Sequence, residues 1–335
     1  MRPSMQRFVL WTALASVVLC GMMIASLQWG SVELSWRQVI SALGLSSAPI
    51  PEILKTIVID LRLPRSLLAA LTGAGLAIAG LLLQTMTRNE LADPFLFGLS
   101  SGASAGADNI PPTKAETGSV NAPSISPKRV ITISALAVMM LFRVNQLRRA
   151  EQLIICGLAV SFLFSALTSY LVFSGDQRAA GSLLFWSLGG LGLARWDNLF
   201  IPLLSLALLS GFTLIRWRAL DALLAGEQTA CSLGVDVERL RSETFLCCAL
   251  ATALLVSLTG VIGFVGLMVP YLARRVVGVR HRMAVPMCGL LGAILLIGGD
   301  ILSRSLIANQ ELPIGIITAG LGGAFIVSLL MRATR

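Results

Sequence analysis

The fold is decided by an apolar run at residues 63–86, which reads LPRSLLAALTGAGLAIAGLLLQTM. Its single charge, Arg65, lies close to its beginning. As an α-helix with a rise of 1.5 Å per residue, the run would extend about 36 Å. About 20 apolar residues are enough to cross the roughly 30 Å of hydrocarbon in a bilayer. The run therefore predicts a membrane-spanning helix.

The rest of the chain has the same character. Of its 335 residues, 56% are hydrophobic and only 13% are charged, and the mean hydropathy is +0.82. Soluble proteins carry about a quarter charged residues on average. So few charges could not cover the surface of one or two soluble domains of this length. The composition excludes an ordinary cytosolic enzyme and predicts a polytopic membrane protein with short loops.

Apolar runs bounded by charge predict the other spans, with the first retained as a span because no signal-cleavage site follows it. Four shorter pieces suggest half-helices or re-entrant segments, and Gly266 and Pro270 favour a break within the last of them. The sequence thus predicts an all-α, polytopic inner-membrane helical bundle of about ten spans in one domain, residues 1–335. The other clear runs are 8–27, 151–173, 198–215, 244–263, 284–302 and 313–331, and the short pieces are 94–107, 130–142, 182–193 and 264–273.

One polar segment interrupts this pattern at residues 108–129, which read DNIPPTKAETGSVNAPSISPKR. Its prolines and charges cannot continue a membrane helix, because unpaired backbone and charge in lipid cost several kcal/mol per group. Two interpretations stay open: an external loop between two short helices, or a stretch read in a shifted frame. If the two flanking short segments fail to insert, the bundle has eight spans.

The excess of 26 Lys and Arg over 17 Asp and Glu is explained by membrane topology rather than by nucleic-acid binding. With a cytoplasmic N-terminus, most of these basic residues fall in cytoplasmic loops, as the positive-inside rule expects. We therefore predict no nucleic-acid partner and place residues 220–241 in the cytoplasm.

Residues suited to catalysis are scarce. The single histidine, His281, lies in a basic turn, where we expect it to be solvated at the membrane interface. None of the three lysines follows a glycine, so the chain has no phosphate-binding loop for ATP. The six cysteines form no C-x-x-C pair and are expected to pack in the core. We predict no metal site and no cofactor, and a membrane-embedded transferase is excluded because it would need clustered acids or histidines.

The loop at residues 220–241 is unusually long for a connection between two strong spans. Gly226 and Gly234 divide it, because glycine favours helix ends and turns. The stretch between them, from Glu227 to Leu233, is long enough for a short surface helix. The residues alone leave two interpretations equally open: a plain connection, or an element that docks onto a partner.

Several motifs are similar to those of one protein family: residues 61–65 (LRLPR), 88–98 (RNELADPFLFG), the loop 220–241, 262–270 (IGFVGLMVP), 300–304 (DILSR) and 311–315 (ELPIG). Together they resemble the FecCD-type permease subunits of bacterial ABC importers for iron-siderophore, haem and cobalamin. The resemblance covers nearly the whole chain apart from about residues 107–130.

The resemblance implies three protein partners besides membrane lipid: an ATP-binding cassette ATPase, a periplasmic substrate-binding protein and a second permease subunit, in a homodimer or heterodimer. It implies that Arg62, Arg65 and Arg304 accept glutamates of the binding protein, whereas the residues alone favour Arg62 and Arg65 as interfacial anchors of the helix. It also implies a coupling helix for the ATPase, made by Gly226, Glu227, Thr229, Ala230, Leu233, Gly234 and Val235.

The implied function is import of an iron complex, a ferric siderophore first of all, across the bacterial inner membrane by alternating access. In that case the multi-pass chain is not an enzyme, because a separate subunit hydrolyses ATP. The alternative is an ion-coupled secondary transporter that works without an ATPase. Such a transporter should carry ionisable residues near mid-membrane, and the clear spans have none at their centres.

Overall fold

The computed structural model describes residues 3–30, 34–44, 46, 50–94, 186–307 and 310–333, together with isolated residues between 159 and 173. Over these ranges the chain is helical and contains no strand. A π-helical turn covers Ile57–Arg62, and a 3₁₀ turn covers Trp196–Asn198. The α-helices are α1 (Pro3–Gln28), α2 (Trp36–Ala42), α3 (Glu52–Thr56), α4 (Leu63–Thr87), α5 (Phe200–Leu224), α6 (Glu227–Ser232), α7 (Val237–Thr259), α8 (Val265–Val277), α9 (His281–Ser305) and α10 (Ile314–Ala333).

Six helical stretches in the described part of the chain are long and apolar enough to span a membrane; they contain α1, α4, α5, α7, α9 and α10. The predicted runs at 8–27, 63–86, 284–302 and 313–331 are confirmed to within a few residues. The short piece at 94–107 apart from Pro94, the piece at 130–142, the polar segment at 108–129 and most of the run at 151–173 lie outside the described residues.

Two predicted spans have different ends in the structure. Helix α5 continues to Leu224 instead of ending near residue 215, and α7 begins at Val237 rather than near residue 244. The prediction stopped at the first charges, but these charges are helical and paired across the two helices. Arg216 of α5 lies 2.7 Å from Glu243 of α7. Both helices therefore continue beyond their apolar sections, and the ion pair between Arg216 and Glu243 joins the extended ends.

Helix α4 is the central element of the described bundle. Most of its residues are buried, and it packs against α5, α7, α8 and α9. Two glycines permit this close packing: a Cβ atom at Gly73 would overlap the carbonyl of Gly292 in α9, and one at Gly80 would overlap the carbonyl of Gly266 in α8. Small residues allow membrane helices to approach until their backbones touch. The glycine pairs therefore fix where α8 and α9 cross α4.

The predicted break within 264–273 is wrong, because α8 is continuous and holds Pro270 inside it. A proline has no N–H, so the carbonyl four residues earlier, that of Gly266, receives no bond from it. The buried Gln84 of α4 takes that place: its Nε2 donates to the carbonyls of Gly266 (3.3 Å) and Leu267 (3.2 Å). A side chain from another helix thus satisfies the backbone that the proline leaves open.

Backbone groups of the non-helical segments within the bundle form hydrogen bonds with neighbouring segments. The N–H of Gly190 donates to the carbonyl of Thr259 at the end of α7 (2.8 Å), and the N–H of Ile314 donates to the carbonyl of Gly189 (3.1 Å). In the short piece predicted at 182–193, the described part leaves helical geometry after Ser187. Irregular backbone is tolerated at membrane depth where protein groups pair it.

Candidate functional site

The stretch predicted to form a short surface helix is α6, which connects α5 to α7. Gly226 precedes it with a φ of 121° and Gly234 follows it with a φ of 79°. Both values lie in the left-handed region that favours glycine. At its end, the N–H of Val235 donates to the carbonyl of Ala230 (3.0 Å), which closes the last turn. The two glycines therefore set the boundaries of this element, as their spacing predicts.

One side of α6 faces the bundle and the other is exposed. Ala230 is fully buried, and α6 packs against both α5 and α7. Thr229 and Leu233 are exposed, and Leu233 has 68% of its surface accessible. The exposed side thus offers small and polar groups around one large apolar side chain.

An ion pair joins α6 to α7, and a capping bond begins α7 directly after the connection. The carboxylate of Glu227, the first residue of α6, forms an ion pair with the guanidinium of Arg241, whose side chain is only 5% exposed. Between the two helices, the Asp236 side chain caps α7 by accepting from the N–H of Arg239 (3.0 Å). The start of α6 is therefore linked to the first turns of α7 by a charged contact.

The expectation that His281 is solvated is wrong, because its side chain is fully buried at the first residue of α9. Its Nδ1 lies 2.6 Å from Oδ1 of Asp221, and its backbone N–H donates to the same oxygen (2.9 Å). Its Nε2 lies 3.0 Å from Oγ1 of Thr85. Asp221 is in the last turn of α5, and Thr85 is in the last turn of α4. This histidine link therefore ties three helices together just before α6.

Arg62 and Arg304, two of the three predicted docking arginines, are buried, with 6% and 7% of their surfaces exposed. Arg62 donates through Nη1 to the carbonyls of Leu27 (2.7 Å) and Gln28 (2.9 Å), and Arg304 donates to that of Trp29 (3.1 Å). These carbonyls belong to the end of α1, where backbone acceptors have no partner within the helix. Cationic donors at a helix C-terminus also complement its dipole. In this structure the two arginines cap α1.

Arg65 is the most accessible of the three arginines. Its Nε lies 2.8 Å from Asp300, and its Nη1 lies 2.9 Å from Glu311, whose side chain is 51% exposed. Asp300 also lies 2.6 Å from Arg304, so this acid contacts two of the three arginines. The three arginines and Glu311 line a cavity of about 290 Å³. The arginine cluster is therefore a connected network of charges with an accessible rim.

The arginine cluster and α6 lie at opposite ends of the bundle. Arg65 is in the first turn of α4, whereas Thr85, which contacts the histidine link beside α6, is in its last turn. Their separation of 20 positions corresponds to about 30 Å along a helix, which is the hydrocarbon thickness of a bilayer. The two sites thus suit opposite sides of one membrane.

Within the described ranges, no group of three or more His, Cys, Asp or Glu side chains could hold a metal ion. Of the cysteines described, Cys247, Cys248 and Cys288 are buried as expected, whereas Cys20 and Cys231 are exposed.

Sequence reasoning missed Asp221 and Gln84. No local signal identifies either residue, since each bonds to groups at least 60 positions away in the chain. A polar residue in the last turn of an apolar helix is a weak hint, because burial of such a side chain requires a hydrogen-bond partner.

The sequence and the fold are both similar to those of known membrane transport proteins. The sequence matches the FecCD transport family over residues 17–332. It is 33% identical to the cobalamin import system permease protein BtuC of Halobacterium salinarum, over 98% of each chain. It is 32% identical to the hemin transport system permease protein HmuU of Yersinia pestis, over 94% of this chain and 93% of the relative. A solved inward-facing structure of the metal-chelate type of ABC transporter superposes with a TM-score of 0.79 at 30% identity, over 96% of this chain and 98% of that one. The chain therefore belongs to the FecCD transport family.

Proposed function

We propose that this chain is the multi-pass permease subunit of an ATP-driven importer, working by alternating access, and that a separate subunit hydrolyses the ATP. The observation that carries the proposal is α6, an exposed helix fixed to α7 by the pair of Glu227 and Arg241. An ATPase outside the membrane must bind an element that is packed rigidly against the membrane helices, because switching transitions move packed elements as rigid bodies. The similarity of residues 220–241 to the corresponding loop of the FecCD family supports binding of the ATPase at α6.

We propose an iron complex as the cargo, with a ferric siderophore first among the candidates. The relatives named above concern cobalamin, hemin and metal chelates. A chelator fills the coordination sphere of its iron, so the proposal requires no metal ligand in the chain. Uptake of radiolabelled ferric siderophore into proteoliposomes, with hemin and cobalamin as competitors, would rank the three cargoes. Uptake of cobalamin alone would overturn the siderophore assignment.

In the proposed mechanism, the ATPase binds α6 on the cytoplasmic side of a bacterial inner membrane and moves it together with α5 and α7. The histidine link passes this displacement to α4 and α9, because His281 bonds to both Asp221 and Thr85. A second permease subunit completes the translocation path between the two. In this mechanism, α4, α5 and α9 move together because the buried contacts of His281 join their ends near α6.

At the other end, we propose that a periplasmic binding protein docks on the arginine cluster. Arg65 and Glu311 form its accessible rim, and a guanidinium matches a carboxylate with two parallel hydrogen bonds. An incoming glutamate would compete with Asp300 and Glu311 for Arg65. For Arg62 and Arg304, it would compete with carbonyls at the end of α1. The geometry therefore favours Arg65 as the first contact.

Co-purification with the ATPase subunit tests the role of α6. Replacing residues 227–235 by a Gly/Ser linker should abolish retention of the ATPase, and Leu233→Asp should weaken it. The matched control is Val279→Asp, another exposed apolar residue, which lies between α8 and α9 and outside α6. Equal retention by the linker variant and the parent protein would refute coupling through α6.

The secondary-transporter alternative makes the opposite prediction. Substrate uptake into proteoliposomes that contain only this chain and no ATPase would support it and overturn the importer proposal. Uptake that requires the ATPase and ATP would support the importer.

A further inference from the structure

A groove separate from the two sites above opens between α1, α4, α5 and α9. Its volume is about 850 Å³, which is within the range of ligand pockets. Small residues form its floor, and leucines, isoleucine and valine form most of its walls. The small residues are Ala70 and Ala74 of α4 and Gly289 and Ala293 of α9.

The depth of the groove matches one leaflet of a bilayer. On α5 its lining extends from Leu206 to Trp217, and on α9 from His281, the residue of the histidine link, to Ala293. These stretches correspond to about 16 Å and about 18 Å of helix at 1.5 Å per residue. Half of the hydrocarbon thickness is about 15 Å. Because Trp217 and Arg282 lie at the α6 end, the groove occupies the leaflet on that side.

Trp217 and Arg282 line the mouth of the groove, and Arg218 lies beside it against the Trp217 ring. The Cζ atoms of Arg218 and Arg282 lie 5.1 Å and 6.0 Å from the centroid of the Trp217 ring. Both arginines are exposed, and neither forms an ion pair within the described residues. The acids nearest to Arg218 in the chain are engaged elsewhere: Asp221 pairs with His281, and Glu227 pairs with Arg241.

We propose that this groove is a binding site for an anionic phospholipid of the leaflet on the α6 side. One acyl chain lies along the small-residue floor, and the phosphate binds between Arg218 and Arg282. The Trp217 indole lies at the level of the headgroup, where tryptophan is enriched in membrane proteins. Basic pockets between helices on the cytoplasmic side attract anionic headgroups. The apolar depth requires a lipid rather than free phosphate.

Native mass spectrometry of the full chain tests the charge requirement. We expect phosphatidylglycerol to bind more tightly than phosphatidylcholine with the same acyl chains. The double variant Arg218→Gln/Arg282→Gln should weaken phosphatidylglycerol binding about 30-fold and weaken phosphatidylcholine binding less, because choline offsets the charge of its phosphate. Equal affinity of the parent protein for both lipids, or undiminished phosphatidylglycerol binding by the variant, would overturn the proposal.

The control for that variant is Arg239→Gln/Arg275→Gln, which removes the same charge at the same end but outside the groove. This control should bind phosphatidylglycerol like the parent protein. An equal loss in both double variants would mean general attraction to a basic surface and would overturn the site. Inorganic phosphate should fail to displace the lipid at equal concentration, and displacement would overturn the need for an acyl chain.

A second variant fills the groove without touching its charges. A Cβ atom at Gly289 would lie 3.6 Å from Cδ1 of Ile78 and 3.9 Å from Cβ of Ala74, both ordinary contacts. Gly289→Leu should therefore fold and lose bound phosphatidylglycerol, and retained binding would contradict the location. A photoreactive residue at Leu290 should give a lipid adduct. A peptide adduct instead would show that a protein segment fills the groove.

Discussion

Replacement of His281 by alanine is the sharpest test of how the α6 end is held together. The substitution removes the ring that joins Asp221 to Thr85 and leaves the backbone N–H of residue 281 in place. If the residue were solvated, as its basic neighbours suggest, its loss would change stability by no more than about 0.5 kcal/mol. Its complete burial predicts a much larger effect.

The size of the effect follows from the two side-chain bonds. The 2.6 Å contact with the Asp221 carboxylate involves a charged group, and such bonds contribute about 1.5–3 kcal/mol. The 3.0 Å contact with the Thr85 hydroxyl is of the neutral kind, which contributes about 0.5–1.5 kcal/mol. The Asp221 side chain is 25% exposed. In the variant, water can therefore bind this carboxylate and offset part of the lost bond to His281. We therefore expect His281→Ala to lower the free energy of unfolding by about 2–4 kcal/mol.

The assay is reversible unfolding of the full chain in mixed micelles, with a double-mutant cycle. His281→Ala, Asp221→Ala and their combination should give a coupling energy of about 1–3 kcal/mol, as expected for directly bonded residues. Arg280→Gln is the control, because it changes an exposed basic residue next to His281 in sequence. A control variant as unstable as His281→Ala would point to a general effect of this turn.

A coupling energy near zero between positions 221 and 281 would refute the histidine link. In the assembled transporter, we also expect His281→Ala to reduce substrate transported per ATP more than it reduces ATP hydrolysis. Equal reductions in both would mean that the link stabilises the fold without transmitting motion.

Three further predictions concern the rest of the bundle. Gly80→Ala should destabilise the protein by about 1–3 kcal/mol through backbone overlap, measured by thermal unfolding in detergent, whereas Gly211→Ala has no atom within 4 Å of its added Cβ and should not. Gln84→Met should lower the unfolding free energy by about 1–3 kcal/mol because α8 carbonyls lose their donor, and an unchanged midpoint would contradict that bond. Arg65→Glu should weaken capture of the binding protein at low salt with little loss of stability, whereas Arg62→Glu should destabilise the chain itself; unchanged capture by Arg65→Glu would refute docking at this rim.

The position of α6 between α5 and α7 is largely predictable from the sequence. Gly226 and Gly234 mark the ends of α6 because only a residue without Cβ takes their backbone angles without strain. The resemblance motifs then name the same residues for coupling. By contrast, the ends of α5 and α7 were misplaced, since charges such as Arg216 and Glu243 look like loop residues until their pairing across two helices is known.

For the arginine cluster, the sequence predicts the three members but not the surroundings of each one. The sequence identifies Arg62, Arg65 and Arg304 as a set, and the structure does bring them together. It also gives them unequal surroundings, because Arg62 and Arg304 turn inward to the end of α1 while Arg65 reaches the rim with Glu311. Exposure of a side chain depends on which helix lies beside it, and apolar patterning does not specify that neighbour.

By itself, the sequence determined the membrane class, most of the apolar helices, the element between α5 and α7, and the family. Each of these follows from local properties: hydropathy over some 20 residues, glycine position, and short motifs. Tertiary structure alone decided the burial of His281, the continuity of α8 through Pro270, and the lipid-sized groove. Their physical reason is shared, since buried polar groups and cavities depend on partners brought together from distant parts of the chain.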